Sequence, residues 1–234
     1  MSPSTETLPR HLDRLEHFYG PLFPPPGDAF GLYVWEVLGV HTTPARRDAA
    51  MAALRRVPAL TPDAMGRAPR AKLESAVALA GPYREERLRA LTVGVDAFRR
   101  NPSLPAQLRG SLAEAERALA KLPHLSAASG RWMLLFAGEQ FVIPSDPRLA
   151  RVVNRLGVAQ PARPRGMSEN RDVVSVLSED TARAILAELG GAISLVQRAA
   201  LYLAHHGLTT CLESDPLCRI CPLRDDCPAA SLEA

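Results

Sequence analysis

Leucine, valine and phenylalanine recur at three- and four-residue intervals along most of this chain, the spacing of one face of an α-helix. In residues 8–20 the apolar positions are Leu8, Leu12, Leu15 and Phe18, which predicts an amphipathic helix. Four prolines between Pro21 and Gly27 then break the pattern and predict a linker. From the Asp28 cap, AFGLYVWEVLGV is apolar on every side and reads as a buried helix, with one carboxylate, Glu36, in its middle. Helices are expected over 43–57, from Thr61, over 70–80, over 84–100 (Leu88, Leu91, Val95, Phe98), over 111–121 and over 127–137. Beyond Asp146 the same period predicts helices near 147–156, 168–177, 179–189 and 191–206. Period-two alternation never persists for more than a few residues, so the expected fold class is all-α.

Composition narrows the picture. The 234 residues can bury one large core or two modest ones, and 47% hydrophobic residues is ordinary for a soluble globule. No apolar run reaches the roughly 18 residues a membrane-spanning helix needs, so no membrane partner is expected. The net charge of +3 is small for a nucleic-acid binder, and nearly all the positive charge is arginine, since lysine occurs only at Lys72 and Lys121. Aromatic residues at 5% are too few for a platform that stacks single-stranded bases.

All four cysteines fall between Cys211 and Cys227, in CLESDPLCRICPLRDDC, spaced C-x6-C-x2-C-x5-C. Thiols gathered in so short a stretch among Pro216, Pro222 and Pro228 suggest one metal-ligand set: Cys211, Cys218, Cys221 and Cys227. The polar opening MSPSTETLPR has no apolar secretory core, so a reducing cytoplasmic compartment is expected and metal is favoured over disulfides. Four thiolates suit tetrahedral zinc or a cubane iron-sulfur cluster, and ligand softness does not separate the two. His205 and His206 read as packing or hydrogen-bonding residues beside an already complete ligand set.

The 6-2-5 spacing and the lead-in His206-Gly207-Leu208-Thr209-Thr210-Cys211 resemble the iron-sulfur loop of the endonuclease III family of DNA glycosylases. Residues 122–155, LPHLSAASGRWMLLFAGEQFVIPSDPRLARVVNR, resemble that family's helix-hairpin-helix followed by a Gly/Pro-rich loop and an aspartate. A Gly81-x-Tyr83 turn fits as well, so the likeness covers roughly residues 29–228. It implies a 4Fe-4S cofactor, a helical barrel domain at 29–135, and an iron-sulfur cluster domain built from 1–28 and 136–234, with the substrate cleft between them. Base-excision repair by a monofunctional N-glycosylase is the implied activity. Its partner would be double-stranded DNA with a lesion, mismatch or abasic site, met by a monomer in the cytoplasm at the nucleoid.

By the same resemblance Asp146 takes the place of the catalytic aspartate, where a carboxylate supports oxocarbenium character on the sugar of an extruded nucleotide. Standing before Pro147, it also has the position of a helix cap. Glu36 falls where adenine-mismatch glycosylases carry a base-protonating glutamate, and its residue-level alternative is a salt bridge to an arginine. His41 corresponds to the residue that fills the gap left by the flipped base. His124, Ser126, Arg131, Arg148 and Arg151, with Arg155, are the candidate DNA contacts.

The departures are equally pointed. Ala128 stands where bifunctional members carry the Schiff-base lysine, so the lyase step is expected to be weak or absent. His124 and Ser126 replace the hairpin glycines, and Leu212–Leu217 is acidic where relatives are basic, so the iron-sulfur group is expected to be structural. Together they favour an alternative, a catalytically impaired relative that binds lesions or unusual DNA structures without cleavage.

Overall fold

The computed structural model describes residues 8–57, 60–158 and 177–230. Among them every regular element is helical. The helix expected near 168–177 lies almost wholly outside the described residues. No helix among the described residues is long and apolar enough to cross a membrane. The chain divides into two compact units, one of residues 25–140 and one built from 1–24 and 141–234.

The central unit contains α2 (Ala29–Gly39), α3 (Pro44–Arg56), α4 (Pro62–Arg67), α5 (Arg70–Ala78), α6 (Arg84–Arg100), α7 (Leu104–Leu108), α8 (Leu112–Leu119) and α9 (Ala127–Phe136). Asp28, Thr43, Thr61, Ser111 and Ser126 each cap a helix by accepting a bond from the amide three residues on. Helix α2 is the axis of this core: Leu32, Tyr33, Val34 and Leu38 are all fully buried. Tyr33 lies across α6, where a Cβ on Gly94 would sit 2.1 Å from its ring, so only glycine permits the approach. Its hydroxyl donates to Ala90 O at 2.9 Å and to Pro123 O at 3.1 Å, which ties the turn between α8 and α9 to the core. Burial pushes the Tyr33 phenol well above its ordinary pKa.

The split unit holds α1 (Leu8–Tyr19), α10 (Pro147–Leu156), α11 (Glu179–Glu188) and α12 (Ile193–Thr209), then two single 3-10 turns at Cys218–Ile220 and Arg224–Asp226. Helices α10 and α12 make its main seam, burying Leu149, Val152 and Val153 against Val196, Ala199, Ala200 and Leu203. At Gly207 the two backbones nearly touch, since a Cβ there would lie 2.5 Å from Arg148 O. Helix α12 runs three residues past the expected end at His206, through Gly207 to Thr209. Where it stops, Thr210 N and Cys211 N both donate to His206 O, at 3.0 and 2.8 Å.

Candidate functional site

The cysteine loop opens on that helix terminus. Cys211, Cys218, Cys221 and Cys227 are free thiols of intermediate exposure, and all four line one cavity with Val152, Leu156 and Leu223. Successive turn bonds, Leu217 N to Thr210 O, Cys221 N to Cys218 O and Cys227 N to Arg224 O, fold the loop around it. Among the described residues no three His, Cys, Asp or Glu side chains are placed to hold a metal ion. The four cysteines do share one cavity lining, and thiolates are soft donors of the kind that binds metal.

Hydrogen-bond donors are directed at these sulfurs. Leu223 N donates to Cys221 Sγ at 3.4 Å, Arg155 Nη1 to Cys211 Sγ at 3.3 Å, and His206 Nε2 lies 3.6 Å from Cys221 Sγ. Burial pushes the Cys221 thiol up to about 11, against the lowering effect of the Leu223 amide, and the other three cysteines add to the rise. Burial likewise raises Cys227. A bound cation would reverse this preference, so metal loading would release protons. His206, 2% exposed, is pushed down to about 4 by burial and by neighbouring His205, so its ring is neutral.

Two arginines on α10 hold the loop from outside. Arg151 Nε donates to Cys211 O at 2.9 Å and Arg151 Nη2 to Gly207 O at 2.5 Å. Arg155 donates to Leu212 O at 2.7 Å and to Glu213 O at 3.1 Å. Both guanidinium groups are therefore engaged with backbone carbonyls of the loop. Arg148 is engaged too, because it clamps the side chain of Asp146.

Asp146 is 4% exposed and is the N-cap of α10. Its Oδ1 accepts from Arg148 N at 2.8 Å and Arg148 Nε at 2.9 Å, while Arg148 Nη2 meets Oδ2. Capping and ion pairing thus coincide in one carboxylate.

In the central unit Glu36 is half-buried, on the wetter edge of α2 beside Trp35. Arg47 lies over the Trp35 ring at 3.8 Å, and Trp35 neighbours Trp132, which stacks on Phe136. His41 follows α2 with φ of 49°, a left-handed conformation uncommon for a residue with a side chain. Tyr83, at the start of α6, has φ of 68°, and the two rings lie 5.4 Å apart. Both side chains are exposed, Tyr83 by 53%.

What fixes this pair is Arg87, 3% exposed, whose guanidinium donates to Val40 O at 2.5 Å, Gly81 O at 3.3 Å and Pro82 O. Thr42 Oγ1 adds a bond to Ala80 O at 2.6 Å. Sequence reasoning passed over Arg87. The signal was available, for it stands four residues before Leu91 on the apolar face of α6. Tyr83 was read only as part of a turn, although an exposed aromatic in such a turn is itself a signal.

His124 also has positive φ, 58°, so it takes up the conformation in which glycine is usual. It is exposed. Ser126 Oγ accepts from Ser129 N at 3.0 Å and donates to Ser129 Oγ at 2.9 Å, so the first turn of α9 is capped from within the chain. Arg131 and Ala128 are half-buried on that helix.

No protein-family model and no curated protein matches the sequence. Solved structures do match in fold. The chain is similar to endonuclease III in a trapped covalent intermediate with DNA, an estranged-adenine complex, at a TM-score of 0.67 and 18% identity over 97% of this chain and 96% of that one. A non-covalent endonuclease III–DNA complex gives 0.66 and 18%, with the same coverage. A thermostable thymine-DNA glycosylase gives 0.68 and 13%, covering 96% of each chain. Among its described residues, this chain has the all-helical fold shared by endonuclease III and thymine-DNA glycosylase.

Proposed function

We propose that the protein is a DNA N-glycosylase of base-excision repair, removing a damaged or mispaired base from double-stranded DNA by a monofunctional route with little or no lyase activity. The carrying observation is a fold match to DNA glycosylases that spans nearly all of both chains, with Asp146 buried at the N-terminus of α10. In this reading Asp146 stabilises positive charge on the deoxyribose and helps water attack, while Glu36 supplies a proton to the departing base. Ala128 offers no amine for a Schiff base, which supports the monofunctional route. His41 and Tyr83, exposed side by side, fill the gap left by the extruded nucleotide. His124, Ser126 and Arg131 approach the phosphates from the α8–α9 turn.

Arg148 sets a condition on this chemistry. Its guanidinium neutralises the Asp146 carboxylate, so catalysis requires that the clamp loosen when a DNA phosphate competes for the arginine. The four cysteines hold a 4Fe-4S cluster, a reading supported by four thiols around one cavity with N–H donors aimed at the sulfurs. Such a group supplies a staple for the loop and a one-electron couple.

The experiment is a panel of duplexes each carrying one lesion, mismatch or abasic site, incubated with wild type and Asp146→Asn and then treated with hot alkali. Alkali-dependent breaks with wild type that vanish in the variant are the expected result. A second reading, a lesion-binding protein without catalysis, is favoured by Asp146 being clamped on both oxygens. Tight binding to one duplex with no breaks on any would establish that reading instead.

A further inference from the structure

A short chain of polar side chains ends on one cysteine sulfur and has a direction. Tyr19, the last residue of α1, places its hydroxyl 2.7 Å from His206 Nδ1 and 2.6 Å from Thr210 Oγ1. His206 Nε2 faces Cys221 Sγ at 3.6 Å. All four residues belong to the split unit, and His206 and Thr210 are buried.

Proton placement decides what this chain does. A neutral imidazole carries one N–H, and a phenol carries one O–H. With a thiolate at position 221, the sulfur can only accept, so the imidazole proton must sit on Nε2 and point at it. Nδ1 is then an acceptor, which the Tyr19 O–H satisfies, and the Thr210 hydroxyl donates to the Tyr19 oxygen. The opposite arrangement would set an Nε2 lone pair against a thiolate. One tautomer therefore satisfies every group in the chain.

We infer that Tyr19 and His206 are a tuning relay for Cys221, in which Tyr19 fixes the imidazole tautomer and His206 donates an N–H···S bond that raises the reduction potential of the iron-sulfur group held there. The inference rests on the four cysteines binding such a group. A hydrogen bond to a ligand sulfur withdraws electron density and stabilises the more negative, reduced state. Cys221 also receives the Leu223 amide, but that donor is backbone and fixed, whereas His206 can be removed by substitution. Both relay residues are positioning residues. Neither needs to touch DNA.

Wild type, Tyr19→Phe, His206→Leu and His206→Gln would be purified without oxygen, assayed for iron and sulfide, and titrated potentiometrically. In His206→Leu the ratio of reduced to oxidised protein at a fixed potential should fall about tenfold, a shift of about 60 mV to more negative values for a one-electron couple. Tyr19→Phe, which removes the tautomer lock together with the oxygen that the Thr210 hydroxyl meets, should move the ratio about two- to threefold in the same direction. Glutamine can place an amide N–H near the position of Nε2, so His206→Gln should recover most of the loss.

Loaded His206→Leu and Tyr19→Phe proteins that both keep the wild-type potential would overturn the relay and leave the cluster reading standing. Wild type that contains zinc, or no iron and sulfide, would overturn both. Should His206→Leu fail to retain the group, Tyr19→Phe decides alone: the expected shift supports the relay and an unchanged potential overturns it.

Discussion

Arg87 in the central unit and the Arg151–Arg155 pair in the split unit do the same physical job for opposite purposes. Each holds helix ends and loops by donating to backbone carbonyls: Val40, Gly81 and Pro82 in the first case, Gly207, Cys211, Leu212 and Glu213 in the second. Around Arg87 the result is an outward display, with His41 and Tyr83 held in left-handed backbone and exposed. Around Arg151 and Arg155 four thiols line an inward cavity. Charge counted along the sequence therefore overstates what an outside anion can meet, because arginines at both places are already occupied by the protein's own oxygens.

The largest effect should come from Arg87, the more deeply buried anchor. Arg87→Met keeps much of the volume but leaves three buried or partly buried carbonyls without their donor, a loss of about 3–5 kcal/mol. Urea unfolding of the whole chain measures it. A cost below about 1 kcal/mol would mean that water replaces the guanidinium at no penalty, and the likeness between the two cages would be superficial.

Next is the seam that supports the second cage. Gly207→Ala would drive a Cβ to 2.5 Å from Arg148 O, and backbone cannot step aside as a side-chain tip can. A destabilisation of about 2–3 kcal/mol is expected from overpacking, read as a lower melting temperature. Because Gly207 O also receives Arg151, an iron-sulfur group held as proposed should be lost more readily from the variant than from wild type when challenged with a chelator.

These two positions mark how far the sequence could be read. Helical period and caps place α1 to α6 and α8 to α12 within a few residues, since Leu12, Leu88 and Leu149 repeat on faces that do become buried. Helix α7 escaped because five residues between Asn101-Pro102 and Gly110-Ser111 are too few to show a period. The cysteines and Asp146 were visible as residue types at telling positions. Arg148's clamp on Asp146 was not, because a bond to a neighbour two residues away depends on rotamer and leaves no periodic trace. Arg151 and Arg155 looked like phosphate ligands for the same reason: sequence shows a charge, and only packing shows what it faces.

Replacing either α10 arginine tests the inward cage at lower cost, since both are half-exposed and water can reach the carbonyls they leave. Arg155→Met should cost about 1–2 kcal/mol, and Arg151→Met a similar amount. The two separate in another readout. Only Arg155 donates to a sulfur, Cys211 Sγ, so its variant alone should change the visible spectrum of the loaded protein. Equal spectra would place both arginines in a purely mechanical role.

The smallest expected effect has the opposite sign and separates the two cages most sharply. Tyr83 is 53% exposed at φ of 68°, where an L side chain is strained and glycine is not. Tyr83→Gly should relieve roughly 1 kcal/mol of strain in the folded state, offset in part by the greater freedom glycine gives the unfolded chain. Net stability should thus stay within about 0.5 kcal/mol of wild type or rise slightly. If the pair meets DNA as proposed, affinity for duplex carrying an abasic site should fall by about 1 kcal/mol or more in fluorescence anisotropy, because the aromatic surface beside His41 is gone. A protein that binds as tightly and folds as well after losing Tyr83 would show that the strained turn displays nothing of use. Weaker binding at undiminished stability would identify the backbone strain held by Arg87 as serving DNA contact.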